Sequence, residues 1–205
     1  MKIFLASGSP RRKELLGLLE LPFTVLISDV EEKLTETDPV RLTESLSKQK
    51  AEAVYEKIEK EKIYSGSFCV IGADTVVFAE NEAGRKEILG KPADKKDAER
   101  MIRSIKGNVH MVCTGVTLMG KNQGKFFSNT FSEKTKVFVA DLSEEEIRHY
   151  LETEEPYDKA GAYGIQGLFS KFIEKIEGDY FNVVGLPVHR LYQEVTIHSY
   201  FYEDF

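Results

Sequence analysis

The sequence predicts a mixed α/β fold with a cleft, and three observations carry that expectation. Segments rich in β-branched and aromatic residues read as strands: Lys2–Ala6, Phe23–Ser28, Phe68–Ala79, His110–Met119, Lys125–Ala140, Leu168–Ile176 and Tyr180–Val184. Between them lie stretches with apolar residues at helical spacing behind recognisable caps. The two kinds mix without strict alternation, and a run as long as 125–140 suggests an extended hairpin. At 205 residues and 41% hydrophobic, the chain suits one domain, 1–205, of one core or two intimately packed lobes.

The first strand hands over to Ser7-Gly8-Ser9-Pro10-Arg11-Arg12. Ser9 is a good N-cap and Pro10 suits the first helical position, which puts both arginines in the first turn, on the face of Leu15, Leu16 and Leu19. A helix N-terminus already carries partial positive charge, so two arginines there cost stability unless an anion completes the site. The alternative is that both reach solvent or pair with carboxylates. After the second strand come Glu31 and Glu32, where strand ends often open into a site, although adjacent carboxylates are usually just solvated.

A long helix follows Asp38-Pro39 toward Lys62. Lys50 sits on its apolar face with Leu46, Ala53 and Val54, and either snorkels to the edge or reaches a buried anion. The next strand contains Gly72-Ala73-Asp74-Thr75. One carboxylate in an apolar strand is expensive to desolvate without a cation, metal or donor, which makes Asp74 the leading candidate for a working group. Thr75 draws its interest from that neighbour and is otherwise an ordinary strand residue. If one of Glu31 and Glu32 reached Asp74, the pair would suit Mg²⁺, a hard ion that prefers oxygen ligands.

The polar stretch 80–86 reads as a hairpin loop, and Gly90-Lys91-Pro92 closes that hairpin, so the returning strand either brings Lys91 toward Asp74 or leaves it facing solvent. Asp94 caps a helix carrying Ala98, Met101, Ile102 and Ile105, and Ser143 with Glu146 forms a capping-box pattern for a helix over 143–152. Residues 155–167, Glu-Pro-Tyr-Asp-Lys-Ala-Gly-Ala-Tyr-Gly-Ile-Gln-Gly, read as a shaped loop. Gln166 there offers a donor and an acceptor, as reading a nucleobase edge requires, while a structural turn with incidental polar groups is the plainer alternative. The tail 198–205 is aromatic and acidic.

Composition excludes several classes. A formal charge of −6 and a pI near 5.4 argue against general binding of long nucleic acid, which needs cationic neutralisation of phosphates. Cys69 and Cys113 match neither a disulfide framework nor a metal knuckle, and the four histidines lack ligand spacing. No apolar stretch approaches the ~20 residues that a membrane span needs, so a cytoplasmic chain is expected.

Taken together, Ala6–Arg12, Lys50-Ala51, Gly72-Ala73-Asp74-Thr75, Lys91-Pro92, Thr114-Gly115, the run Asp158–Gly167 and Gly185-Leu186-Pro187 closely resemble the Maf family of nucleoside triphosphate pyrophosphatases, in the family's order and over essentially the whole chain. The resemblance implies the fold that Maf proteins share with inosine triphosphate pyrophosphatases, an elongated mixed sheet flanked by helices with a deep central cleft. It implies hydrolysis of a nucleoside triphosphate to the monophosphate and pyrophosphate with a divalent cation, Mg²⁺ or Mn²⁺. Carried over, it makes Asp74 and Lys91 catalytic, Asp74 and Glu32 the metal-binding pair, and Arg11, Arg12, Lys50, Thr75 and Gln166 substrate-binding. Arg11, Thr75 and Gln166 match the subgroup acting on dTTP and UTP. The implied partner is a small nucleotide, with no long nucleic acid and no membrane, and a homodimer is left open. The competing expectation is a nucleotide-binding regulator of cell division that does not cleave its ligand.

Overall fold

The computed structural model describes residues 1–27, 32–34, 36–80 and 86–197. The end of the second expected strand at Ser28, Glu31, the tip of the 80–86 loop and the 198–205 tail lie outside the described residues. Strands β1 (Lys2–Leu5), β2 (Phe23–Val25), β3 (Phe68–Glu80), β4 (Lys86–Leu89), β5 (Val109–Asn122), β6 (Lys125–Val139) and β7 (Ile173–Glu177) form a seven-stranded sheet of order β2-β1-β3-β5-β6-β7, with β4 paired to β3. The sheet is mixed. β1 runs parallel to β2 and β3, whereas β3–β4 and β6–β7 are antiparallel. Helices α1 (Pro10–Gly17), α2 (Pro39–Glu61), α3 (Lys95–Ile105), α4 (Glu144–Leu151), α5 (Tyr180–Val184) and α6 (Val188–Ile197) complete the α/β architecture. None of the described helices is long and apolar enough to cross a membrane.

The caps expected from sequence fix the helix starts. Ser9 Oγ accepts from Arg12 N, Asp38 Oδ1 from Val40 N and Arg41 N, and Asp94 Oδ1 from Asp97 N. Ser143 and Glu146 form the full reciprocal box, each side chain taking the other's backbone N–H. Two expected strands are corrected. Residues 168–172 form a 3₁₀ turn and only Ile173–Glu177 is extended, because a glutamate carboxylate at 155 takes the N–H groups of Leu168 and Phe169. Tyr180–Val184 is helical because Asp179 Oδ1 accepts from Phe181 N at 2.7 Å, a local cap that outweighs the aromatic and β-branched composition.

The chain divides into two compact units, one of residues 1–74, 114–133 and 185–205, the other of 75–113 and 134–184. In the first, Phe4, Ala6, Ala51, Val54, Ile58, Phe68, Val70 and Met119 form a core between α2 and the sheet. Helix and sheet meet almost backbone to backbone: a Cβ on Gly72 would stand 2.3 Å from Ser47 O, and one on Gly115 2.3 Å from Thr43 O. A buried hydroxyl chain, Ser47 Oγ to Thr117 Oγ1 to Thr130 Oγ1 at 2.9 Å each, ties α2 to β5 and β6. In the second unit, the inward stripe of α3 (Ala98, Met101, Ile102, Ile105) packs in a core with Leu89, Val137, Ile147, Tyr163 and Phe169.

Candidate active site

The first unit gathers charge where β1 ends and α2 crosses β3. Lys50 and Asp74 stand on α2 and β3, whose separation is set by the Gly72 contact with Ser47 and Ala51. Lys50 Nζ lies 2.5 Å from Asp74 Oδ1 and 3.1 Å from Glu32 Oε1. The lysine and aspartate side chains are only 15% and 13% exposed, so neither charge is well hydrated and each is held by the other. Glu32, 42% exposed, is placed by its neighbour: Lys33 N donates to Gln49 Oε1 at 2.9 Å and Gln49 Nε2 donates to Lys33 O at 3.0 Å.

Arg12, in the first turn of α1, is fixed from two directions. Its Nε donates to Gly185 O at 2.9 Å and its Nη1 to Ser7 Oγ at 3.4 Å. Gly185 adopts φ +128°, a conformation that favours glycine. Desolvation lowers the Arg12 pKa below its ordinary value; Asp74 and Glu32 oppose that shift, and Arg11 adds to it. One guanidinium therefore feels both carboxylates and the second arginine. The group comprises three cations, Arg11, Arg12 and Lys50, and two carboxylates, Glu32 and Asp74.

Such a set is suited to a polyanion that brings its own counter-ion. Cations at a capped helix N-terminus attract phosphate oxygens, and paired carboxylate oxygens suit a hard divalent ion. Glu32 and Asp74 already bring one oxygen each to a common positive charge, the Lys50 ammonium, so their placement fits a cation held between them. Among the described residues no cluster of three or more His, Cys, Asp or Glu side chains surrounds a common point, which leaves water and substrate oxygens to complete any coordination.

The remaining sequence candidates belong to the second unit. Thr75 continues β3 and is half-buried. The β3–β4 ladder ends at Val77 opposite Leu89; Gly90 O then accepts from Gly161 N, and Lys91 follows, exposed. Gln166 is exposed within a tight turn. Ser7 and Gly185 lie within the motifs that carry the resemblance, but their hold on Arg12 is not legible in the sequence, and Gln49 is not singled out there; all three hold the charged groups rather than supply charge. Gln49 had a faint signal as a polar residue directly beside Lys50. Gly185 is 173 positions from Arg12, and nothing local announces that contact.

Fold and site together define a mixed α/β protein that gathers cations and carboxylates between α1, α2 and β3. The chain belongs to the Maf family: the family model described as Maf-like protein matches residues 2–197. Among its relatives, the dTTP/UTP pyrophosphatase of Lachnoclostridium phytofermentans is 46% identical over 195 residues, covering 95% of this chain and 93% of that one. The dTTP/UTP pyrophosphatase of Thermosipho africanus is 50% identical over 192 residues, covering 94% and 91%. A solved structure, that of the Staphylococcus aureus Ham1 protein, matches 97% of this chain and 100% of that one with a TM-score of 0.44 and 11% identity, and the fold description above stands without it.

Proposed function

We propose that this chain hydrolyses pyrimidine nucleoside triphosphates, dTTP and UTP, to the monophosphate and pyrophosphate. The observation that carries the reading is the convergence of Asp74, Glu32 and Lys50 on one point, within the field that Arg12 and Arg11 also feel. Relatives named dTTP/UTP pyrophosphatase at close to half identity support the choice of substrate.

In this reading Arg11, Arg12 and Lys50 bind the triphosphate tail. Asp74 accepts a proton from water at Oδ2, Oδ1 being engaged by Lys50, as that water attacks the α-phosphorus and the bond to the bridging oxygen breaks. Pyrophosphate leaves with the negative charge that the cations have offset. Glu32 and Asp74 would hold the divalent ion that the resemblance implies, Mg²⁺ or Mn²⁺. When bound, that ion supplies Lewis-acid charge withdrawal and a clamp on the phosphates. Lys91 as a further catalytic group, and Thr75 and Gln166 as substrate-binding groups, keep the roles that the resemblance gives them. Gln166 has the donor and acceptor that a pyrimidine edge requires. Free cytoplasmic nucleotide, rather than long nucleic acid or a membrane surface, is the partner in this reading.

The test is pyrophosphate release across dTTP, UTP, CTP, 7-methyl-GTP and ITP, by the wild type and by Asp74→Asn. The pyrimidine triphosphates dTTP and UTP should lead, and the variant should lose roughly 10²-fold or more in turnover, the scale of a lost general base. Near-normal release by Asp74→Asn would overturn the assignment, and intact triphosphate after long incubation with Mg²⁺ or Mn²⁺ would point to a binding protein instead.

A further inference from the structure

Gln166 stands on a backbone held far more tightly than an ordinary solvated turn requires. Gly167 N donates to Gly164 O at 3.2 Å, closing a four-residue turn with Gln166 at its third position. Both ends of that turn are pinned. Upstream, the Tyr163 hydroxyl lies 2.7 Å from Nε2 of the buried His110, and Gly161 sits at φ +70° with its N–H on Gly90 O. Downstream, the Glu155 carboxylate folds across the loop: Oε2 accepts from Leu168 N at 2.6 Å, and Oε1 from Phe169 N at 3.2 Å. The buried Tyr150 hydroxyl donates to the same Oε1 at 3.1 Å. The carboxylate fits because residue 167 is glycine, since a Cβ there would stand 2.1 Å from Glu155 Oε2.

A half-buried carboxylate engaged by three protein donors forgoes much of its hydration. A turn whose only task is to reverse the chain needs no such anchor, because exposed backbone groups are satisfied by water. Besides starting the 168–172 turn, this anchor holds the backbone on which one exposed amide stands. Recognition by hydrogen bonds depends on donors and acceptors held in place before the ligand arrives, since each side chain or loop ordered on binding subtracts from affinity.

We propose that Glu155 is a positioning residue for base selectivity: through the N–H groups of Leu168 and Phe169 it fixes the Gly164–Gly167 turn and so aims the Gln166 amide at the pyrimidine edge. This rests on the reading of Gln166 given above. Glu155→Gln keeps the shape but replaces one acceptor oxygen with a donor, setting an NH₂ against the N–H of Leu168 or Phe169. The turn loosens and substrate must order it.

The experiment is a double-mutant cycle of Glu155→Gln and Gln166→Ala, with kcat and KM measured for UTP and GTP. Gln166→Ala should lower the ratio of kcat/KM for UTP over GTP by about 10-fold or more, the scale of lost hydrogen bonds to a base edge. Glu155→Gln should lower the same ratio by about 10-fold through a raised KM for UTP, with kcat within about 3-fold of wild type, and should add less than about 2-fold when Gln166 is already alanine. Gly167→Ala expels the carboxylate without removing its charge. It meets only a flexible side-chain tip, so it carries the test if Glu155→Gln fails to fold, with the same KM shift expected. A folded Glu155→Gln or Gly167→Ala with wild-type selectivity, or an effect undiminished in the Gln166→Ala background, would overturn the proposal while the Gln166 reading stands. Unchanged selectivity in Gln166→Ala alone would overturn both.

Discussion

Replacing Gly72 by alanine tests how the Lys50–Asp74 pair is made. A Cβ at residue 72 would lie 2.3 Å from Ser47 O, 2.9 Å from Ala51 N and 3.0 Å from Ala51 Cβ, against the 3.4 Å at which ordinary contact begins. The obstructing atoms include the backbone of α2, which cannot swing aside as a side-chain tip does, so helix and strand must part by about 1 Å. Overpacking of this kind costs about 1–3 kcal/mol, and at ~2–4 °C per kcal/mol for a chain of this size the melting temperature should fall accordingly. The larger effect falls on activity. Lys50 lies three residues from Ser47 on the displaced helix and Asp74 two residues from the new methyl, so their 2.5 Å contact is disturbed from both sides. A 1 Å misplacement in a catalytic group costs on the order of 10²-fold in rate. Steady-state pyrophosphate release with calorimetry on the same samples measures both. Gly17→Ala is the control: its Cβ meets nothing within 4 Å and it stands in α1, so neutral or slightly stabilising behaviour is expected. A Gly72→Ala variant with wild-type turnover and melting temperature would refute the reasoning.

Two further perturbations probe other supports. Gln49→Ala removes both main-chain bonds to Lys33 and frees the segment bearing Glu32, so the Mg²⁺ concentration for half-maximal activity should rise by ~10-fold, the scale of a lost supporting residue at a metal site; an unchanged Mg²⁺ titration would count against the clamp. Burial lowers the His110 pKa to about 3, whereas an unfolded histidine titrates near ~6.5. Between those values the unfolded chain binds a proton that the native one refuses, so this group's contribution to stability is full above the unfolded value and falls by about 1.4 kcal/mol per unit as pH drops toward 3. Urea unfolding at pH 4.5 and 7 should show that slope reduced by about one proton's worth in His110→Gln, and an identical slope would show that His110 is not buried neutral.

Much of the fold was legible because its signals are local. Ser9-Pro10, Asp38-Pro39, Asp94 and the Ser143–Glu146 box each announce a helix within four residues, and each cap forms. Asp74 and Lys50 stood out because a charge interrupts an apolar pattern, and the structure brings them together. The glycine at position 72 has a physical reason too: a helix backbone crosses the strand there. The failures came where a distant or overlooked partner decides. The Leu168–Phe172 turn is set by a carboxylate 13 residues upstream of Leu168. Asp179 was a cap in plain sight before an aromatic run that composition alone reads as strand. Helix α6 was missed although Leu191 and Val195, both buried, keep helical spacing with Val188. Contacts such as Arg12 to Gly185 have no sequence signature, since each partner is ordinary in its own neighbourhood.

The most direct test of the central claim, attack of water on the α-phosphorus by a site built on Asp74, Lys50 and the arginines, is hydrolysis of UTP in ¹⁸O-labelled water followed by mass analysis of both products. The account predicts one heavy oxygen in UMP and none in pyrophosphate. Label in pyrophosphate, or release of orthophosphate in its place, would contradict it.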